Sequence, residues 1–263
     1  MFGINTGEEM PASYLADHDA WDKFIGSLWR DLFQLINFVP RSTVIEIGPG
    51  TSLKIGYALA KAEFCGELYL VDVSRRVLEI IQPKYKALLP QAKITSVCSP
   101  VKNCQSALPH QADFLFGSHI IDDMLLHHGE PGDVMAWAEA YTHAPSDSLQ
   151  EVWTAMEKDK AVLNNARDFV RDSLLRLIEN LSPRGVILNQ YPSSTLYEHG
   201  MASLNDCAFA VFDDVKARYR DILLDPARAQ QVLSTHKNYG NRHLGEHILN
   251  ANYWMLLCPP KSL

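Results

Sequence analysis

The chain has 263 residues, 47% of them apolar, and a formal net charge of −7. A chain of this length and composition can bury a substantial core, and the length lies at the upper end of what one α/β domain normally holds. Because acidic and basic residues are interspersed, no basic face is available to neutralise a phosphate backbone, and we expect no nucleic-acid partner.

Cysteine usage and hydropathy indicate the compartment. The first residues lack the basic and apolar regions of a signal peptide, and no segment has the roughly 18 uninterrupted apolar residues of a membrane span. The cysteines form no C-x-x-C pair and fall in or near apolar segments, as in a reducing compartment: Cys65, Cys98, Cys104, Cys207 and Cys258. We expect a soluble, cytoplasmic protein with no membrane partner.

Apolar residues recur at helical spacing up to Ile36, and Asp17 is placed to cap this first helix. The β-branched run 43–47 predicts a strand, followed by a glycine-containing turn and a helix from Thr51 to about Ala62. The pattern indicates a helix followed by a strand, a tight loop and a second helix.

Further strands and helices alternate along the rest of the chain. Helices are predicted after Ser74, with a kink at Pro83, across much of 122–181, and around 213–224. Strands are predicted at 68–72, 93–97, 114–117, 186–189 and 253–258.

This alternation predicts an α/β fold with a doubly wound, Rossmann-like and mostly parallel sheet of seven strands, with helices on both faces. We expect one domain in four parts. Residues 1–40 form an N-terminal helical cover, 41–120 the cofactor-binding half, 121–181 an inserted helical cap, and 182–263 the C-terminal part of the sheet.

The loop after the first strand is the most informative stretch. Glu46 ends the buried strand, and Gly48 and Gly50 let the backbone turn close to a ligand before the next helix. A third glycine of the dinucleotide fingerprint would stand at position 53, but Leu53 occupies it and hinders the close approach that a pyrophosphate needs. Asp72, at the end of the second strand, can accept both hydroxyls of a ribose in either kind of cofactor.

The segment Glu46-Ile47-Gly48-Pro49-Gly50-Thr51-Ser52 resembles the first motif of the class I S-adenosylmethionine (SAM) dependent methyltransferase family, with Ser52 in place of the frequent third glycine. Asp72 matches that family's ribose-binding acid, and the segments 181–188 and 254–258 look like its fifth and last strands, the last antiparallel. The runs 50–54 and 71–74 also resemble the histidine-specific methyltransferases of ergothioneine biosynthesis, over a stretch too short to assign a substrate.

The resemblance implies SAM as the cofactor and a set of binding residues. Gly48, Pro49 and Gly50 would line the methionine part, Asp72 would hold the ribose, and Val73 would pack on the adenine. Ser99 is the candidate for the adenine amino group, and Ser118 and His119 would flank the transferable methyl group. The remaining candidates for this site are Tyr14, Glu46, Thr51 and Ser52.

Methyl transfer to a protonated acceptor requires a group that holds or removes a proton. His119 with Asp122 or Asp123 is placed for this role after the fourth strand. The alternatives are that His119 caps the next helix or bonds a backbone carbonyl, and that the two aspartates compensate the helix N-terminus.

Aromatic residues in the later helices suggest a substrate pocket, since ligands bind above the carboxyl ends of such strands. Packing in the core is the alternative for each of them: Trp137, Tyr141, Trp153 and Tyr191. Tyr14 and the first helix either close over the cofactor or pack on the sheet. His243 and His247 have helical spacing, but Gly245 weakens a helix there and no H-E-x-x-H occurs, so that we expect no metal.

The resemblance implies a methyltransferase, and we expect it to act on an O or N atom of a small molecule, as a monomer or homodimer. Another SAM-scaffold enzyme (an aminopropyl or aminocarboxypropyl transferase), an NAD-dependent oxidoreductase and a non-catalytic cofactor-binding module remain as alternatives.

Overall fold

The computed structural model describes residues 12–129, 146–236 and 247–258. The helices in these ranges are α1 (Ala12–Phe33), α2 (Lys54–Lys61), α3 (Arg75–Leu88), α4 (Ile121–Gly129), α5 (Ser146–Lys158), α6 (Lys160–Leu181), α7 (Ser194–Glu198), α8 (Ala202–Arg218) and α9 (Pro226–Leu233). The strands are β1 (Thr43–Ile47), β2 (Glu67–Asp72), β3 (Lys93–Cys98), β4 (Phe114–Ser118), β5 (Gly185–Asn189) and β6 (Trp254–Leu257).

The strands form one sheet in the order β3-β2-β1-β4-β5-β6. β1 to β5 are parallel and β6 is antiparallel to β5. The predicted doubly wound, mostly parallel sheet and its antiparallel last strand are confirmed. The predicted count of seven strands is not, because the sheet has six strands in the described ranges. The chain order reverses between β1 and β4, and a crevice for ligands opens at the carboxyl ends of such strands.

Helices cover both faces of the sheet, as predicted. On one face, buried residues of α1, α2, α3 and α9 form one core cluster with the strands, in which the rings of Trp29 and Phe116 lie 5.7 Å apart. On the other face, buried residues of α4, α5, α6 and α8 form a second core cluster with the strands. Strands buried on both faces are nearly continuous apolar runs, which is why β1 and β5 could be recognised from sequence. No helix within the described ranges is long and apolar enough to cross a membrane.

Three helix starts differ from the prediction. α1 begins at Ala12, because the alanines and leucine before Asp17 favour helix and override the capping signal of Asp17. α2 begins at Lys54 instead of Thr51. The helix predicted around 213–224 is α8, which begins and ends earlier, while Pro83 lies inside α3 and the helix continues to Leu88.

Candidate functional site

A cleft opens at the carboxyl ends of β1, β2 and β4, where the order of the strands reverses. It encloses about 1050 Å³ of empty space, including the part open to solvent. Its walls are formed by the ends of these strands and the loops that follow them, the loop after β3, the starts of α2 and α3, and the first two turns of α4: Gly48, Pro49, Gly50, Thr51, Ser52, Lys54, Val71, Asp72, Val73, Ser74, Val77, Ser99, Val101, Ser118, His119, Ile120, Asp123, Met124 and His127. The structure therefore brings most of the predicted cofactor residues together in one place.

The loop after β1 forms one wall, and its glycines are required by its geometry. Gly48 and Gly50 have φ angles of +60° and +55°, in the region that side chains disfavour. A Cβ atom on Gly48 would lie 2.6 Å from Cγ2 of Ile120, so that this position also lacks space for a side chain. The Gly48 N–H donates to the Val71 carbonyl at 2.8 Å, which fastens the loop to β2.

The far end of this loop is held by Asp22, a residue of α1 that is 4% exposed. One carboxylate oxygen accepts a hydrogen bond from Ser52 Oγ and the other accepts one from the Leu53 N–H, both at 2.7 Å. Asp22 thus supplies the N-terminal cap of α2 from another helix, since Leu53 itself has no capping side chain. Sequence reasoning missed Asp22, although an acidic residue on the apolar stripe of a helix indicates a buried partner.

Asp72 and the glycine loop meet at the cleft. Asp72 accepts a hydrogen bond from the backbone N–H group of Ser74 at 2.9 Å, and the backbone N–H group of Gly50 also stabilises its ionised form. Burial raises the pKa of Asp72 to about 7, although these backbone donors pull it down. The end of β2 therefore presents an acceptor carboxyl group directly beside the glycine loop, with Val73 and Ser99 lining the same wall.

Lys54 is a cation in the cleft wall that sequence reasoning did not select. It is 6% exposed, and its Nζ donates to the Tyr191 hydroxyl at 3.3 Å. Burial lowers the pKa of Lys54, but Tyr191 and the carboxylates of Asp22 and Asp123 outweigh burial, and the net shift is upward. The side chain therefore carries a positive charge beside the glycine loop. The signal in the sequence was a lysine on the apolar side of a short helix.

Glu46, predicted to bind cofactor, is absent from the cleft walls. Its carboxyl group is buried and accepts a hydrogen bond from the Tyr85 hydroxyl at 2.7 Å, while that hydroxyl accepts from the Gly56 N–H at 3.2 Å. Burial raises the pKa of Glu46 to about 8. Glu46 therefore joins β1 to α2 and α3 behind the loop.

His119, which follows β4, is not placed as a free catalytic base would be. His119 lines the cleft with a φ of +57°, and its Nε2 lies 2.8 Å from the Tyr191 carbonyl oxygen. Its Nδ1 lies 3.3 Å from Oδ2 of Asp122, so that both ring nitrogens face protein groups. Asp122 is fully buried away from the cleft, whereas Asp123 lines it. Of the three sequence interpretations of His119, the bond to a backbone carbonyl is the one that the geometry shows.

The predicted substrate residues are only partly described. Trp153 is 1% exposed in the core between α5 and α8, with its Nε1 donating to Ser203 Oγ at 2.9 Å, and it does not line the cleft. Tyr191 is also buried but contacts Lys54 behind the wall. Trp137, Tyr141 and His243 lie outside the described residues, as does the side chain of Tyr14. Ser118 lines the cleft, and its hydroxyl has no hydrogen-bond partner within the described part of the chain.

Solved structures that are similar to this chain share little sequence identity with it. No protein-family model and no curated protein matches the chain. Among solved structures, the plantazolicin methyltransferase BpumL with S-adenosylhomocysteine (SAH) has 10% identity and a TM-score of 0.45, over 90% of this chain and 90% of that chain. The SAH-bound magnesium protoporphyrin IX methyltransferase of Synechocystis has 12% identity and a TM-score of 0.41, over 97% of this chain and 94% of that chain.

A third similar structure, the DszA carbon methyltransferase, has 15% identity and a TM-score of 0.39, over 76% of this chain. The chain spans only 41% of the length of that protein. All three are methyltransferases, but likenesses at this level do not assign an activity to this chain.

Proposed function

We propose that this chain is a SAM-dependent methyltransferase that transfers a methyl group to an O or N atom of a small-molecule acceptor. The observation that carries the proposal is that Gly48 and Gly50 of the glycine loop line the same cleft as the carboxyl group of Asp72. A ligand with an amino-acid end and a ribose would contact both features.

The cleft offers a partner for each part of SAM. Gly48, Pro49 and Gly50 leave room for the methionine part, and the Lys54 ammonium is the charge partner for its carboxylate. Asp72 accepts from the ribose hydroxyls. Val73 packs on the adenine, and Ser99 lies on the same wall.

Bound SAM supplies the electrophilic methyl group and the leaving group, and the protein mainly aligns the acceptor. Ser118 lines the end of the cleft after β4, and its buried hydroxyl has no hydrogen-bond partner within the described part of the chain. The carboxyl group of Asp123, in α4, lines the cleft, and we propose that it accepts the proton of the acceptor. His119 shapes this end of the cleft.

We propose that the chain acts as one domain, because the six described strands belong to one sheet. The cleft is built from residues of the half that we assign to cofactor binding and from the first two turns of α4. The helices around α5 and the segment after β5 are the parts in which acceptor specificity would reside.

Calorimetric titration of the full chain tests the cofactor assignment. We expect micromolar binding of SAM and SAH and none of NAD. Asp72→Ala should weaken SAH binding by about 2 kcal/mol, as for loss of hydrogen bonds to a charged group. Glu67→Ala, at the other end of β2, is the matched control and should bind like the wild type.

Tight binding of NAD alone would refute the proposal in favour of an oxidoreductase. Release of methyl from labelled SAM in a metabolite mixture then separates an enzyme from a binding module. Transfer of an aminopropyl or aminocarboxypropyl group in that mixture would identify a different SAM-scaffold enzyme.

A further inference from the structure

The contacts of His119 determine where its proton lies. Nε2 is 2.8 Å from the Tyr191 carbonyl oxygen, which can only accept a hydrogen bond. Nε2 therefore carries a hydrogen. In a neutral imidazole the other nitrogen is then an acceptor, and His119 Nδ1 must find a donor.

The group opposite Nδ1 is a carboxyl oxygen. Oδ2 of Asp122 lies 3.3 Å away, and this oxygen has no hydrogen-bond partner within the ranges that the structure describes. Two bare lone pairs at this distance would repel each other in a buried site, so a proton must lie between the atoms. The question is whether the proton belongs to the histidine or to the carboxyl group.

The surroundings favour the neutral arrangement. Asp122 is 0% exposed and His119 is 6% exposed. Burial raises the pKa of Asp122 and lowers that of His119, and the backbone N–H groups at the start of α4 only partly oppose the first shift. Lys54 also disfavours a second cation at His119, as its charge lowers the pKa of that histidine.

Gln190 fits the same arrangement. Its Nε2 donates to Oδ1 of Asp122 at 3.3 Å, and its Oε1 accepts from the Ile121 N–H at 3.3 Å. Oδ1 is thus the carbonyl oxygen of the acid and Oδ2 its hydroxyl. An asparagine with Nδ2 in the place of Oδ2 would reproduce each of these hydrogen bonds.

We propose that Asp122 is a carboxylic acid that donates from Oδ2 to Nδ1 of a neutral His119, and that this pair positions Tyr191 and, through its hydroxyl, the Lys54 ammonium in the cleft wall. The pair joins the start of α4 to the segment after β5, which lies 70 residues further along the chain. His119 and Asp122 are positioning residues in this account, in contrast to a base held by an anionic aspartate, where Asp would accept from Nδ1–H.

Spectroscopy of the full chain tests the protonation without any ligand. In ¹⁵N-histidine-labelled protein, the His119 signals, identified by their loss in His119→Gln, should show a protonated Nε2 and an unprotonated Nδ1 at pH 5, which lies below the pKa of about 6 to which burial raises Asp122. The infrared spectrum should contain a carboxylic acid band that Asp122→Asn removes. A protonated Nδ1, or the absence of that band, would overturn the proposal.

Two variants of similar size test the positioning role. Asp122→Asn keeps a donor at Nδ1 and should retain SAH affinity within about twofold, whereas Asp122→Leu removes it and should weaken binding about tenfold or more. A loss in Asp122→Asn as large as in Asp122→Leu would show that an anionic carboxylate is needed and would refute the inference. This binding arm rests on the proposed function, and if wild-type protein failed to bind SAH, the spectroscopic arm would still decide the protonation.

Discussion

Binding of SAH should depend on pH through Asp72, because the folded protein holds the pKa of this carboxyl group at about 7. The ionised form accepts hydrogen bonds from both ribose hydroxyls, whereas the protonated form has lost part of its accepting capacity. If only the carboxylate binds well, affinity falls as the pH drops through 7. Between pH 8 and pH 6 the ionised fraction changes about tenfold, equivalent to about 1.4 kcal/mol of binding free energy.

The assay is calorimetric titration with SAH at pH 6, 7 and 8 at constant ionic strength. Asp72→Asn is the control, and its weaker affinity should be independent of pH over this range. The other titratable side chains that line the cleft are Lys54, His119, Asp123 and His127, and burial lowers the pKa of both histidines, that of His127 to about 4. A flat wild-type profile, or one that persists in Asp72→Asn, would show that Asp72 does not hold the ribose.

Three further changes test how the site is built. Gly48→Ala should abolish SAH binding and lower the melting temperature more than Gly50→Ala. Both substitutions incur the cost of a left-handed backbone, about 1–2 kcal/mol, but only the new Cβ atom at position 48 would also clash with Ile120. Equal effects in thermal melts would argue against the contact. Asp22→Ala should destabilise the protein by about 1–3 kcal/mol in urea titrations, because it leaves the Leu53 N–H without its acceptor; an unchanged midpoint would contradict the cap. Burial raises the pKa of Glu46 from the ordinary 4.5 to about 8 in the folded protein, so the folded state binds the extra proton and wild-type stability falls as pH rises between these values. Glu46→Gln should remove about 2 kcal/mol of the loss between pH 6 and 8, and urea curves with the same pH dependence in both proteins would refute this.

Local signals explain which elements could be predicted. β1 was predicted at the residues where it lies, because a β-branched run there is bounded by Pro40 and by glycines. The position of Asp72 followed in the same way from the end of an apolar strand. Where the decisive interaction is distant, prediction failed: the start of α2 depends on Asp22, which is some 30 residues earlier in the chain.

Prediction from the sequence was limited in the same way for His119, the candidate catalytic base. The sequence placed His119 and Asp122 together after β4, and the structure has them in contact. Both ring nitrogens of His119 face protein groups because the Tyr191 carbonyl lies beside Nε2. The sequence does not show how the segment that contains Tyr191 lies relative to β4. The sequence therefore indicated the residues that line the cleft better than the hydrogen bonding of this histidine.

A crystal structure of the full chain with SAH tests the central claim most directly. We expect SAH in the cleft, with its ribose hydroxyls within hydrogen-bond distance of the Asp72 carboxylate and its amino-acid end beside Gly48 and Lys54. SAH bound elsewhere, or a ribose turned away from Asp72, would contradict the account.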